Sequence, residues 1–400
     1  MPQTIKEYWA KFRPSWLVLA LYLIPILRQT AFYRTYREDI SDYTAIDSLA
    51  IFDITVFLLC IPVIIHYWPR TNRNPLRHHC LAWWIIYYIF CLFSFLWRVP
   101  GSSSLFIWYR AGSMLIMTIY TYLIFARFPS REIALKWLLN LIGFTMLSGF
   151  LKALSIGVLH TNAYSTNAAV LAIFILVGVK QGIITWKEYK WHCLIAIVCL
   201  VCGTSGGSNV AFLAGLIFYF NLSKNGFNIS KFIISLCLLL IAYHFLWDYA
   251  AQIILPGKSV EGIESATGRT AVWETYLYAW RQSPWLGWGF AVGERSAAYW
   301  GFIYVLSAHN GFLSVLVNTG LIGMIIWGNF LVPMLYQAHN LMKQGNGYAT
   351  AILVAMVVLL TNNLTVPTMG SNWGQLSCTV VMLLVFFVFF VLPQEDNQTT

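Results

Sequence analysis

Long apolar stretches alternate with short polar ones along the chain, and this pattern predicts a helical membrane protein. A bilayer core about 30 Å thick requires roughly 20 apolar residues per crossing helix. About twelve stretches approach that length, at approximately 14–33, 45–67, 79–98, 105–126, 133–157, 164–182, 189–205, 207–222, 231–254, 306–336, 348–366 and 372–392. None shows the period of two that the strands of an outer-membrane barrel have.

The composition supports the same class. Of the 400 residues, 59% are hydrophobic and only 10% are charged, whereas soluble domains carry about 25% charged residues. We therefore expect an all-α, polytopic membrane helix bundle of about 12 transmembrane helices. Its parts are residues 1–254 with helices 1–9, one larger, partly helical loop at 255–305, and residues 306–400 with helices 10–12 and a short tail.

The distribution of Lys and Arg predicts the orientation, because these residues accumulate in cytoplasmic loops. With the N-terminus inside, 15 of the 25 cations and five of the 15 acids fall on the cytoplasmic side, so the whole formal charge of +10 lies there. Both termini are then cytoplasmic. The excess positive charge is therefore explained by the orientation in the membrane, and no nucleic-acid partner is expected. The eight cysteines lie mostly within apolar stretches, which indicates neither a disulfide framework nor a metal site.

Asp53, Arg110 and Lys152 lie inside predicted spans, where a charge is costly and suggests function. These residues all belong to the outer half, and Arg98 lies at an outer helix end. Two interpretations remain open. The cations form a pocket for an anionic headgroup, or they serve structure, with Asp53 and Lys152 as an ion pair and the arginines extending towards the headgroups.

The loop at 255–305 carries the strongest candidates for anion binding. Apolar residues at helical spacing predict a helix over 268–282, with Arg269 in its first turn and Arg281 in its last. A helix N-terminus favours anions, and arginine binds phosphate through a planar fork. The stretch 283–289 that follows is a turn rich in Gly and Trp, suited to sugar rings or to the membrane interface.

His309 follows this loop directly, at the predicted start of the tenth helix, with Asn310 beside it as a candidate substrate-binding residue. A neutral imidazole is well suited to take a proton from an attacking hydroxyl. The other histidines lack comparable neighbours.

Several motifs follow one another in this region: Thr267-Gly268-Arg269-x-x-x-Trp273, Ser283-Pro284-x-x-Gly287-x-Gly289, Ala308-His309-Asn310-x-x-Leu313 and Gly320-Leu321-Ile322-Gly323. Together they resemble the C-terminal signature of the bacterial O-antigen ligase and O-antigen polymerase superfamily. Asn167, within Tyr164-Ser165-Thr166-Asn167-Ala168-Ala169, is similar to a weaker family motif at the sixth helix.

The resemblance implies metal-independent glycosyl transfer, without a cofactor, at the periplasmic face of the bacterial inner membrane. The donor would be a glycan on undecaprenyl pyrophosphate. The acceptor would be another lipid-linked glycan in a polymerase, or lipid A-core in a ligase. By motif position, Arg269 would hold the pyrophosphate and His309 would act as the base.

One stretch departs from the family pattern. Members commonly have a Ser-Arg pair between the seventh and eighth helices, whereas Thr204-Ser205-Gly206-Gly207-Ser208-Asn209 has no cation. Ser205 and the backbone N–H groups of this turn can still bind phosphate, since glycine permits anion-cradling conformations. Lys152 or Arg110 are alternative sources of the missing charge.

The leading hypothesis is a polymerase that joins lipid-linked repeat units of a surface polysaccharide. An O-antigen ligase is the near alternative, because acceptor choice has no readable code in the sequence. A transporter or flippase of lipid-linked oligosaccharides is more remote, since no repeated halves are visible. A membrane scaffold would leave the charged loop unexplained.

Overall fold

The computed structural model describes residues 16–31, 46–68, 76, 78–157, 162–223, 226–230, 233, 269–295 and 307–393. Twelve α-helices have both ends within these residues. They are α1 (Trp16–Ala31), α2 (Ser48–Tyr67), α3 (His79–Phe93), α4 (Ser104–Phe125), α5 (Arg131–Ser155), α6 (Asn162–Lys180), α7 (Trp186–Cys202), α8 (Gly206–Asn221), α9 (Arg269–Gln282), α10 (Gly311–Lys343), α11 (Gly347–Asn363) and α12 (Gln375–Phe386). A 3₁₀ turn, Ser94–Trp97, extends α3, and a π-helical turn, Phe387–Val391, extends α12. Two short antiparallel strands, β1 (Leu222–Ser223) and β2 (Gly226–Phe227), follow α8.

Eleven of the twelve predicted apolar stretches coincide with helices α1–α8 and α10–α12, which confirms the helical interpretation of the hydropathy pattern. The stretch at 231–254 lies almost wholly outside the described residues. The helix predicted within the loop is also confirmed, since α9 occupies 269–282; Thr267 and Gly268 of its predicted start lie outside the described residues. The two short strands were not predicted.

Within the described residues, five helical stretches are long and apolar enough to cross a membrane: α2, α3 with its 3₁₀ extension, α5, α6 and α10. Shorter apolar helical stretches lie at Val18–Arg28, Gly347–Asn363 and Leu376–Val391. The protein is therefore a helical membrane protein. At its centre lies α6, which packs against α5, α7, α8 and α11 and is apolar on nearly all sides, as a fully enclosed helix must be.

The predicted tenth span is wrong in one respect, because α10 is broken at Gly320. This residue has φ 64° and ψ −167°, well outside the helical region. The rings of Phe312 and Trp327 lie 5.7 Å apart, whereas 15 residues of straight helix would separate them by about 22 Å. The segment 311–319 therefore folds back on the remainder of α10. The segment after the break, 321–343, is about 34 Å long and can still cross a bilayer.

The turn after α9 fills this break in α10. Trp288 N–H donates to the Val317 carbonyl and Gly289 N–H to that of Asn318, at 2.9 and 3.0 Å. In return, Leu321 N–H donates to the Pro284 carbonyl. Backbone groups that lose their helical partners at the break thus find new ones, as groups buried in a membrane protein must. The glycine-rich turn thus forms an interlock with α10.

Gly320→Ala is expected to destabilise the fold by at least about 2 kcal/mol. An L side chain in the left-handed region costs about 1–2 kcal/mol, and overpacking costs about 1–3 kcal/mol more. A Cβ at Gly320 would lie 2.3 Å from backbone atoms of Trp285, so the backbone would have to shift. The midpoint of thermal unfolding in detergent measures the effect.

Gly328→Ala is the matched control, because this glycine lies in the same helix and a Cβ added there would have nothing within 4 Å. Alanine is favoured over glycine inside a helix by about 0.5–1 kcal/mol. Its midpoint should be unchanged or higher. Equal midpoints for the two variants would show that the interlock at Gly320 contributes nothing to stability.

Candidate active site

The segment 307–310 presents His309 between α9 and α10. The carbonyl of Ala308 accepts a hydrogen bond from the Trp273 indole at 2.9 Å, and Ala308 is fully buried. Asn310 caps α10, with its side-chain oxygen accepting from Phe312 N–H at 3.0 Å and Leu313 N–H at 3.2 Å. The helix therefore starts two residues after His309, and Asn310 has a structural task at its N-terminus.

His309 itself lies outside the helix, in the left-handed region at φ 46°. This conformation is uncommon for residues other than glycine, although His, Asn and Asp adopt it more often than most. Backbone strain of this kind is found at functional sites, where surrounding contacts maintain it. The histidine is exposed, so it is accessible from outside the bundle.

Arg269, the first residue of α9, lies close enough to His309 for their charges to interact. Its Nη1 donates to the carbonyl of Thr365 at 3.1 Å. Among the described residues, no carboxylate forms an ion pair with it. Burial lowers the pKa of Arg269, because part of the water that would hydrate the guanidinium is excluded. A half-buried cation bonded to a neutral carbonyl is well placed to receive an anion.

The turn between α7 and α8 reaches the same residue, Thr365. A Cβ at Gly207 would lie 2.3 Å from Thr365 Oγ1, so only glycine permits this approach. Ser205 caps α8, accepting from Ser208 N–H and donating to Asn162 Oδ1 at 2.6 Å. Within the described part of the chain, the N–H groups of Gly206 and Gly207 make no hydrogen bond. They form a helix N-terminus of the kind that attracts anions.

The start of α10 also contacts the C-terminal end of α11, next to Thr365. A Cβ at Gly311 would lie 2.0 Å from Asn363 Oδ1, and that oxygen accepts from the N–H groups of Thr368 and Met369. Segments from α8, α9 and α10 therefore converge on residues 363–365. Thr365 belongs to none of the predicted motifs; the polar run Thr361-Asn362-Asn363 at the end of an apolar stretch is the signal that could have indicated it.

Opposing effects act on the pKa of His309. Although His309 is exposed, neighbouring atoms exclude part of the water around its imidazole, and this partial desolvation lowers the pKa most; the charge of Arg269 lowers it further, while the charge of Glu294 raises it. The net shift is downwards. His309 is therefore neutral at neutral pH, which is the form that can accept a proton.

Two of the predicted site residues lie elsewhere in the structure. Arg281 is exposed in the last turn of α9, and twelve residues of helix place it about 18 Å from Arg269. Asn167 is fully buried within the bundle, where its Oδ1 accepts from Thr379 of α12 at 2.8 Å. Neither residue is brought to Arg269.

Arg110, in the second turn of α4, and Lys152, in the last turn of α5, have no described contact to Arg269. The guanidinium of Arg110 lies 4.9 Å from the ring centroid of Phe106, and that of Arg295 lies 5.3 Å from the same ring. Arg110 is thereby linked to the loop that follows α9. Lys152 is half-buried near the end of α5.

The expectation of an ion pair between Asp53 and Lys152 is wrong, because Asp53 pairs with Arg28 of α1. Both carboxylate oxygens accept from the Arg28 guanidinium, with Nε to Oδ1 at 2.6 Å, and Tyr109 O–H also donates to Asp53. Arg98 donates to the carbonyls of Phe95 and Ser102. Hydropathy indicates how deep a charge lies, but which partner it faces depends on helix rotation.

Among the described residues, no three His, Cys, Asp or Glu side chains come together as metal ligands would. The site is thus an exposed histidine beside a half-buried arginine and a helix N-terminus, in a helical membrane protein.

Comparison with known protein families gives one match. Residues 191–328, from α7 to the middle of α10, match the family model described as O-antigen ligase. The match includes the α7–α8 turn, Arg269, His309 and the break in α10. It confirms the resemblance found in the motifs. No curated protein matches the chain.

Proposed function

We propose that the protein is a polysaccharide polymerase that joins undecaprenyl-pyrophosphate-linked repeat units by glycosyl transfer. The observation that carries the proposal is the meeting of Arg269 and the N-terminus of α8 at Thr365, beside His309. A positive site next to a neutral base is what transfer from a pyrophosphate to a hydroxyl requires.

The proposed setting is the periplasmic face of the bacterial inner membrane, with about 12 transmembrane helices and both termini in the cytoplasm. The loop that contains α9 is then periplasmic. The distribution of charge supports this orientation. Turns at the end of the bundle opposite His309 carry Arg127, Arg131, Lys180 and Lys343, as cytoplasmic turns do.

In the proposed reaction, the pyrophosphate of the donor binds between Arg269 and the N–H groups of Gly206 and Gly207. His309 takes the proton of the acceptor hydroxyl as its oxygen bonds to the anomeric carbon of the donor sugar. The bond from that carbon to the pyrophosphate oxygen breaks, and undecaprenyl pyrophosphate leaves with the electron pair. A single displacement of this kind inverts the configuration at the anomeric carbon.

The α8 N-terminus supplies what an arginine in this turn supplies in other members of the superfamily. A helix N-terminus is equivalent to roughly half a positive charge. Gly207 permits the helix to approach Thr365 and hence Arg269. A cation in this turn is therefore not required for the pyrophosphate to contact two positive groups.

The second candidate is an O-antigen ligase, which would transfer finished polymer to lipid A-core. The matching family is described as O-antigen ligase, but the match does not separate a ligase from a polymerase. The two functions share the donor, the base and the leaving group, and they differ only in the acceptor.

Purified protein in proteoliposomes, incubated with its lipid-linked repeat unit alone, tests the proposal. A polymerase yields higher oligomers together with free undecaprenyl pyrophosphate. A ligase yields product only when lipid A-core is added. Absence of any glycosidic product with either acceptor contradicts both functions, and movement of labelled donor across the membrane in that case indicates a transporter.

A further inference from the structure

Glu294 holds the segment that carries His309. Its Oε1 accepts two hydrogen bonds at 2.9 Å, one from Ser307 O–H and one from Ala308 N–H. The N–H of His309 in turn donates to Ser307 Oγ at 3.2 Å. The carboxylate is therefore connected to the backbone on the N-terminal side of His309, where the chain enters its left-handed conformation.

The position of Glu294 is itself determined by α9 and α10. Its carbonyl accepts from Tyr276 O–H of α9 at 2.7 Å. Its N–H donates to Asn318 Oδ1 at 3.0 Å, and its Oε2 accepts from Asn318 Nδ2 at 3.3 Å. Asn318 is 4% exposed and lies two residues before the break in α10. Glu294 thus joins α9, the folded-back segment of α10 and the His309 segment.

Three donors reach the two carboxylate oxygens of Glu294. The charge of Glu294 lies within electrostatic range of the His309 imidazole. It raises the pKa of His309, whereas the charge of Arg269 lowers that pKa.

We propose that Glu294 is a positioning residue that aims His309 and stabilises the imidazolium formed when His309 takes the acceptor's proton. This inference rests on the proposed role of His309 as the base. An acid that orients a histidine and stabilises its protonated form performs the task of the aspartate in hydrolytic triads. Here it acts through Ser307 and Ala308 and through its charge.

Glu294→Gln tests the proposal because it removes the charge and retains most of the contacts. The carboxamide oxygen still accepts from Ser307 and Ala308. The negative charge raises the pKa of His309, so its loss lowers that pKa further and keeps the imidazole neutral to lower pH. We expect the rising limb of kcat/KM against pH to move to lower pH. On the plateau, kcat should fall about tenfold with little change in KM, because the base is weaker.

Glu274→Gln is the matched control, since Glu274 is an exposed acid on α9. Its pH profile and rates should be those of the unaltered protein. A Glu294→Gln profile that keeps the unaltered limb, with only a lower unfolding midpoint, would overturn the positioning role and leave the proposed function intact. Full activity after replacement of His309 would instead overturn the proposed function itself.

Discussion

His309→Asn is expected to lower the rate of glycosyl transfer by about 10²–10⁴-fold, the usual contribution of a positioned base. Asparagine tolerates the left-handed conformation at position 309 and adds no bulk, so the backbone conformation should be unchanged. The carboxamide cannot accept the hydroxyl proton. Binding of the lipid-linked donor should change little, because the loss concerns the transfer step. Initial rates and donor affinity, measured separately on the purified protein, distinguish the two effects.

The comparison for this variant is His339→Gln, in the same helix at the opposite end of the bundle. Its rate should equal that of the unaltered protein. The unaltered protein should also lose activity as the pH falls through the pKa of His309, since protonation removes the base. That pKa is lowered by burial and by Arg269, so activity should persist below the pH at which an ordinary histidine is half protonated. A His309→Asn rate within a few-fold of normal would exclude this residue as the base.

Arg269→Ala is expected to lower kcat/KM by about 10²–10³-fold, as removal of one group that stabilises developing charge does in other enzymes. The pyrophosphate gains negative charge as it leaves, and the half-buried guanidinium lies within electrostatic range of His309. Arg269→Lys should recover only part of the activity. Lysine supplies a point charge, but it lacks the planar fork that contacts the Thr365 carbonyl and a phosphate together. Rates with a lipid-linked repeat unit measure both variants.

Arg281→Ala is the matched control on the same helix. The sequence suggests Arg281 as a substrate ligand, whereas its exposed position about 18 Å along α9 predicts near-normal rates. A loss as large as that of Arg269→Ala would show that the glycan extends along α9. Normal activity of Arg269→Ala itself would remove the anion site from the mechanism.

Helix positions were predictable because the energetic requirement behind them is local. A crossing segment must be apolar over its own length, and the bounds of α2, α6 and α11 follow the hydropathy within a few residues. The loop helix α9 was predictable for a related reason, since its apolar residues recur at helical spacing. Arg269 and His309 could be singled out by residue type and motif, without knowledge of their neighbours.

The break in α10 shows where this local reasoning ends. Apolar residues continue on both sides of Gly320, so hydropathy predicts one continuous span. The break exists because the turn at 284–289 supplies backbone partners from another part of the chain. Likewise, the sequence cannot show that Asp53 faces Arg28, because partner choice depends on how each helix is rotated in the bundle.

By itself the sequence determined a helical membrane protein, its orientation signal, and Arg269 and His309 as the residues of interest. Only the tertiary structure decided that the ends of α8, α9 and α10 meet at residues 363–365, and that Glu294 holds the His309 segment. The physical reason is that hydropathy and residue chemistry belong to single segments. The electrostatic environment of a histidine depends on groups far apart in the chain that helix packing brings together.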